Sequence, residues 1–126
     1  AQCFAHDDGI AVLPDTIRYL HERTADEESW LERLSTIDVD TTLIWGLHDS
    51  VAPLRVATHV WQTYLRSKPN RNYFWVVPTA DHYVQCDAPA ELAQIIRLTS
   101  TGDAIALQTL GDRPDGAVLI DQSDHR

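Results

Sequence analysis

Thr41-Thr42-Leu43-Ile44-Trp45-Gly46 and Tyr73-Phe74-Trp75-Val76-Val77-Pro78 decide the fold. Each is a short run of β-branched, aromatic and aliphatic residues, which suits a strand buried on both faces of a parallel sheet. Parallel neighbours cannot be joined by a hairpin and need a crossover, usually a helix. The segment between them supplies one: Pro53 fits a first helical turn, and Ala57, Val60, Trp61, Tyr64 and Leu65 recur at three- and four-residue spacing before Lys68-Pro69-Asn70 stops the pattern. After the second run, Pro89 opens another helix whose expected buried side is Leu92, Ala93, Ile95 and Ile96. Strand, helix, strand, helix predicts the α/β fold class.

Towards the amino terminus, Pro14 sits in the first turn of a short helix predicted over Asp15 to Arg23. Thr24-Ala25-Asp26-Glu27 has the capping-box pattern, so a second helix is expected to start there, with Trp30, Leu31 and Leu34 on one face. Towards the carboxyl terminus the periodicity weakens. Thr99-Ser100-Thr101-Gly102 reads as a break, Ala104 to Leu107 as a short apolar patch, and Gly111 to Gly116 as turn-rich. Ala117-Val118-Leu119-Ile120 reads as a further short strand, and Asp121 to Arg126 as a polar tail.

The 126 residues are enough for one domain with a modest core, and 44% hydrophobic with 23% charged residues is a globular composition. Ten basic against nineteen acidic side chains leave a net charge of -9, which disfavours partners held by long-range attraction to anions, so nucleic acid is not expected. No apolar run approaches the roughly 20 residues of a membrane span, and Ala1 to Asp8 lacks the pattern of a signal peptide. The chain reads as soluble, cytoplasmic or otherwise. Cys3 and Cys86 fit neither a disulfide framework nor a metal-ligand spacing, so no metal is expected.

Chemistry is expected at the ends of the two strands, because ligands bind at the carboxyl edge of open parallel sheets. The first strand leads into Gly46-Leu47-His48-Asp49-Ser50-Val51-Ala52-Pro53, the second into Pro78-Thr79-Ala80-Asp81-His82-Tyr83. If the strands are neighbours, a carboxylate of the first loop accepts a hydrogen bond from one ring nitrogen of His82 and leaves the other to act as a base. Blander roles compete: Asp49 as a turn or helix-start residue before Pro53, His82 as a hydrogen-bonded loop histidine, His48 at the rim, Asp81 and Asp87 as turn and helix-start carboxylates. Trp45, Trp61 and Trp75 read as core, whereas Trp30 suits either packing or a pocket wall.

In these loops the sequence resembles the carboxyl-terminal part of the α/β-hydrolase family, the esterases, epoxide hydrolases and haloalkane dehalogenases. Thr42 to Pro53 is similar to the family's strand, glycine, acidic residue and proline around the triad acid, and Asp49 matches that acid. Ala80-Asp81-His82-Tyr83-Val84-Gln85-Cys86-Asp87-Ala88-Pro89 is similar to its histidine loop, and His82 matches the catalytic histidine. The acid precedes the histidine by thirty-three residues, which suits the family's chain order and leaves room for one helix and one strand. Two departures stand out: Asp81 where the family has glycine, and the additional His48.

The resemblance covers about residues 37 to 98. It implies residues 1–36 as the end of a helical cap, 37–98 as the carboxyl-terminal part of the hydrolase core and 99–126 as a tail. The nucleophile elbow, G-x-S-x-G, does not occur in the sequence, and in the family it lies far upstream of the acid. The resemblance therefore implies a nucleophile outside these residues and a partner in the amino-terminal part of the same enzyme, on a further segment or on a second chain, without which this piece should not fold stably. It further implies a small ester substrate, a Ser-His-Asp triad and no cofactor. Epoxide hydrolysis or dehalogenation with an aspartate nucleophile is the alternative chemistry, and a non-catalytic α/β binding module the alternative of another class.

Overall fold

A computed structural model describes residues 9–112 and 116–123. Cys3, Asp7, Asp8, part of the turn around Pro114 and the last residues of the tail lie outside them. The chain divides into two compact units, Ala1–Arg33 and Leu34–Arg126.

The first unit is helical: α1 (Leu13–Ile17) carries Pro14 in its first turn, and after Arg18 the chain enters α2 (Tyr19–Thr36). No helix begins at Thr24, contrary to the capping-box expectation. Nothing in Tyr19 to Arg23 interrupts the ladder, so Thr24 lies inside α2 with its hydroxyl donating to the Leu20 carbonyl at 2.8 Å. Glu27, the other half of the expected box, pairs with Arg23 one turn back at 3.0 Å. Neither helix buries a residue, and Trp30 is 46% exposed.

The second unit is built on a three-stranded mixed sheet of order β1-β2-β3, with β1 Thr41–Gly46, β2 Asn72–Val77 and β3 Val118–Ser123. The first two strands run parallel, in register from Thr41 opposite Asn72 to Gly46 opposite Val77. Their crossover is α3 (Leu54–Val60), which continues without a break as a π-helical turn, Trp61–Leu65. Helices α4 (Val84–Asp87), α5 (Pro89–Thr101) and α6 (Ala104–Gly111) follow β2 before β3 returns antiparallel to it, with a bulge at Phe74/Trp75. The α/β class is thus observed.

Period-two alternation explains why β2 is apolar or aromatic from Tyr73 to Val77: successive side chains enter opposite layers, and both layers are core. Tyr73, Trp75 and Val77 belong to one core cluster with Ile95 of α5 and Leu107 and Leu110 of α6. Phe74 and Val76 belong to the other, with Ala57, Trp61 and Leu65 of the crossover. Every residue of this central strand is buried. In contrast to the expectation for β1, only Gly46 of that strand is buried and the other five residues are partly exposed, because β1 is the sheet edge among the described residues.

The carboxyl-terminal third holds more structure than the periodicity suggests. Ala104 to Leu107 is the start of a helix, capped by Asp103, whose carboxylate accepts the Ala106 amide at 3.0 Å. Gly102, at φ 68°, supplies the left-handed residue that ends α5. On α5 the buried stripe is Ile95 and Thr99 with Leu92 partly covered, whereas Ala93 and Ile96 face outward, about 100° around the helix from Leu92 and Ile95 respectively.

Lys68 fastens the approach to β1. Its buried ammonium donates to the Val39 carbonyl at 3.1 Å and to Thr41 Oγ1 at 2.6 Å. Burial pushes its pKa down, opposed by the nearby charges of Asp38 and Asp40.

Candidate active site

Gly46 and Val77 are opposite one another at the carboxyl ends of β1 and β2, so the two loops that follow leave the sheet side by side. Main-chain hydrogen bonds join them at once: the Leu47 amide donates to Val77 O and the His48 amide to Ala80 O, both at 3.0 Å. This contact requires glycine at position 46. A Cβ there would overlap the Asp81 carbonyl oxygen and lie 2.6 Å from that of Ala80. Both obstacles are backbone, so neither can swing aside. Gly46→Ala is expected to cost about 1–3 kcal/mol by overpacking and to spread the two loops, measured as a fall in urea midpoint together with a changed His82 imidazole NMR signal.

Asp49 and His82 meet in the space between the loops. His82 Nδ1 lies 3.0 Å from Asp49 Oδ2 and 3.1 Å from Oδ1. Asp49 is only 7% exposed, and its Oδ1 also accepts the amides of Val51 at 2.9 Å and Ala52 at 2.7 Å. The turn role and the pairing role are therefore filled by one carboxylate. Burial alone would raise its pKa, but the Ala52 amide, the His82 contact and the Val51 amide together hold it below the usual carboxylate value. An ionised carboxylate can only accept, so Nδ1 carries the proton and donates it, and in a neutral imidazole the lone pair is then on Nε2. That is the tautomer of a general base.

The rest of the loops buttress this pair. Trp45 Nε1 donates to Ala52 O at 2.8 Å, tying the far end of the acid loop back to β1. The Tyr83 ring meets the imidazole edge-on, with centroids 5.0 Å apart, and is 61% exposed. His48 contributes its main-chain amide, as a rim residue would. Trp61 and Trp75 are core, while Trp45 is only partly buried.

Ile44, Trp45, Gly46, Asp49, His82, Val84, Gln85 and Leu92 line a hollow of about 260 Å³ beside the pair. This is smaller than the roughly 300–1,000 Å³ of most small-molecule sites. Among the described residues no group of three or more His, Cys, Asp or Glu side chains is arranged to hold a metal ion, and no helix is long and apolar enough to cross a membrane.

Asp49 and His82, expected to meet from the sequence, do so; Gly46 and Asp81, where the two loops touch, carry no such expectation. Gly46 is legible as a strand end and as the glycine of the acid-loop resemblance, and Asp81 as a turn carboxylate and a departure from glycine before the histidine, but neither signal shows that the two loops meet at these residues. Comparison with protein-family models, curated proteins and solved structures returned no match.

Proposed function

We propose that this chain carries the acid and base of a Ser-His-Asp triad that hydrolyses carboxylic esters. The observation that supports it most strongly is the buried, ionised Asp49 holding Nδ1 of His82 at the carboxyl edge of a parallel strand pair. In this reading a serine outside these residues attacks the ester carbonyl while His82 Nε2 takes its proton. The imidazolium, stabilised by Asp49, then protonates the departing alcohol and leaves an acyl-enzyme. Water attacks the acyl group, His82 takes the water proton and returns it to the serine, and the carboxylic acid leaves. No step calls for a cofactor.

The partner in this reading is the amino-terminal part of the same enzyme, which brings the nucleophile. The small hollow and the edge of β1, which no other strand covers among the described residues, both favour a site completed by further chain. The decisive experiment treats the whole natural polypeptide with a fluorophosphonate and with a short-chain p-nitrophenyl ester. The expected result is ester turnover that the probe abolishes by attaching to one serine. Turnover of an epoxide or haloalkane with no serine labelling would instead assign an aspartate nucleophile. A folded protein with no turnover of any of these would replace the hydrolase reading with a binding module.

A further inference from the structure

Asp81 stands where a glycine would complete the histidine-loop resemblance. In the fold it lies between the two loops. Its Oδ1 accepts the amide of Ser50 at 3.2 Å and the amide of His82 at 2.7 Å. One oxygen thus holds the main chain immediately after the triad acid and the main chain of the histidine itself. Its own amide donates to Asp87 Oδ2 at 2.9 Å, which ties the arrangement to the end of α4.

These bonds complete a ladder across the loops. The His48 amide reaches Ala80 O, Ser50 reaches the Asp81 side chain, and the Asp49–His82 pair is carried between these two links. Both bonds that the Asp81 carboxylate accepts come from main-chain amides, whereas the imidazole is paired with Asp49, so Asp81 acts on the base indirectly. From this geometry we infer that Asp81 is a positioning residue: it clamps the acid loop to the histidine loop and so sets the distance and orientation of the Asp49–His82 hydrogen bond. The inference rests on the triad reading for its effect on turnover, but not for its effect on the imidazole.

The test uses the whole natural polypeptide with 15N-labelled histidine and compares Asp81→Ala with Asp81→Asn. Alanine removes the acceptor, whereas asparagine keeps an oxygen where Oδ1 stands. In the wild type the ring nitrogens of His82 should give the signature of a protonated Nδ1 and an unprotonated Nε2. Asp81→Ala should average that signature while the far-UV circular dichroism is retained, and kcat should fall about 10–100-fold with little change in KM, the usual effect of losing a supporting hydrogen bond. Asp81→Asn should restore both. An unaltered His82 signature in Asp81→Ala would overturn the inference, leaving Asp81 a turn residue. If the alanine variant fails to fold, Asp81→Gly, which also removes the acceptor, decides: an averaged signature in the folded protein supports the clamp, and an unaltered one overturns it. A changed imidazole signature in a protein with no esterase activity would sustain the clamp and remove the triad reading, so the two failures are distinguishable.

Discussion

Asp49→Asn is expected, on the proposed triad reading, to lower ester turnover by about four orders of magnitude, the size of effect that follows when a triad histidine is forced into the wrong tautomer. The reason lies in which oxygen is already committed. Oδ1 of Asp49 accepts the Val51 and Ala52 amides, so an asparagine must keep its carbonyl oxygen there and turn its amide nitrogen towards His82, at the position Oδ2 holds 3.0 Å from Nδ1. An amide N–H facing Nδ1 can only donate, so the imidazole must accept there and carry its proton on Nε2. It can then no longer take a proton from the nucleophile. The loss should fall on kcat, and 15N NMR should show the proton moved from Nδ1 to Nε2. Near wild-type turnover in the variant would mean that Asp49 is a turn residue and nothing more. The same carboxylate couples folding to acid: its pKa is depressed in the folded state, so its contribution is complete above about pH 4 and is lost as the pH falls through the folded value. Asp49→Asn should therefore flatten the acid limb of a stability-against-pH curve.

How far this pair was legible in the sequence depended on how local the signals were. β2 is legible because Tyr73 to Val77, buried on both faces, offers no polar residue, and the crossover helix because Ala57 of α3 and Trp61 and Leu65 of its π-helical continuation recur at four-residue spacing. Those two elements and the parallel crossover were enough to bring the ends of β1 and β2 together, and with them Asp49 and His82. α6 escaped because it spans eight residues and leaves Ile105 80% exposed, although Asp103 before Ala104 was a usable start signal. Thr24 misled for the opposite reason: its capping pattern is present, but no breaker precedes it to end the helix already running. The amides that Asp81 accepts belong to a loop thirty-one residues away and to the next residue, and such bonds depend on the path of the main chain. The need for glycine at 46 is of the same kind, set by carbonyl groups of a different strand's loop.

Trp75→Ala should be the most damaging single truncation in the core. Trp75 is fully buried on the central strand, opposite Ile44 of β1 and Leu119 of β3, so its side chain sits where all three strands and the helical layer converge. Removing the indole forfeits its transfer energy and leaves a void that α5 and α6 cannot both close, a loss of about 3–5 kcal/mol. Against a typical net stability of about 5–15 kcal/mol this is a large fraction. The cluster that holds Trp75 also holds Ala80 and Val84, which bracket His82 in sequence, so the loosened packing should reach the histidine loop. Urea unfolding of the whole natural polypeptide should show a lower midpoint at an unchanged slope, and the His82 signature should broaden before the global transition. Trp75→Phe should lie between, since the phenyl ring refills part of the void. Trp30→Ala is the control: on α2 and 46% exposed, it should cost less than about 1 kcal/mol. A Trp75→Ala cost as small as that of Trp30→Ala would mean that the sheet is not packed on this side chain, and that the histidine loop is held by its own hydrogen bonds alone.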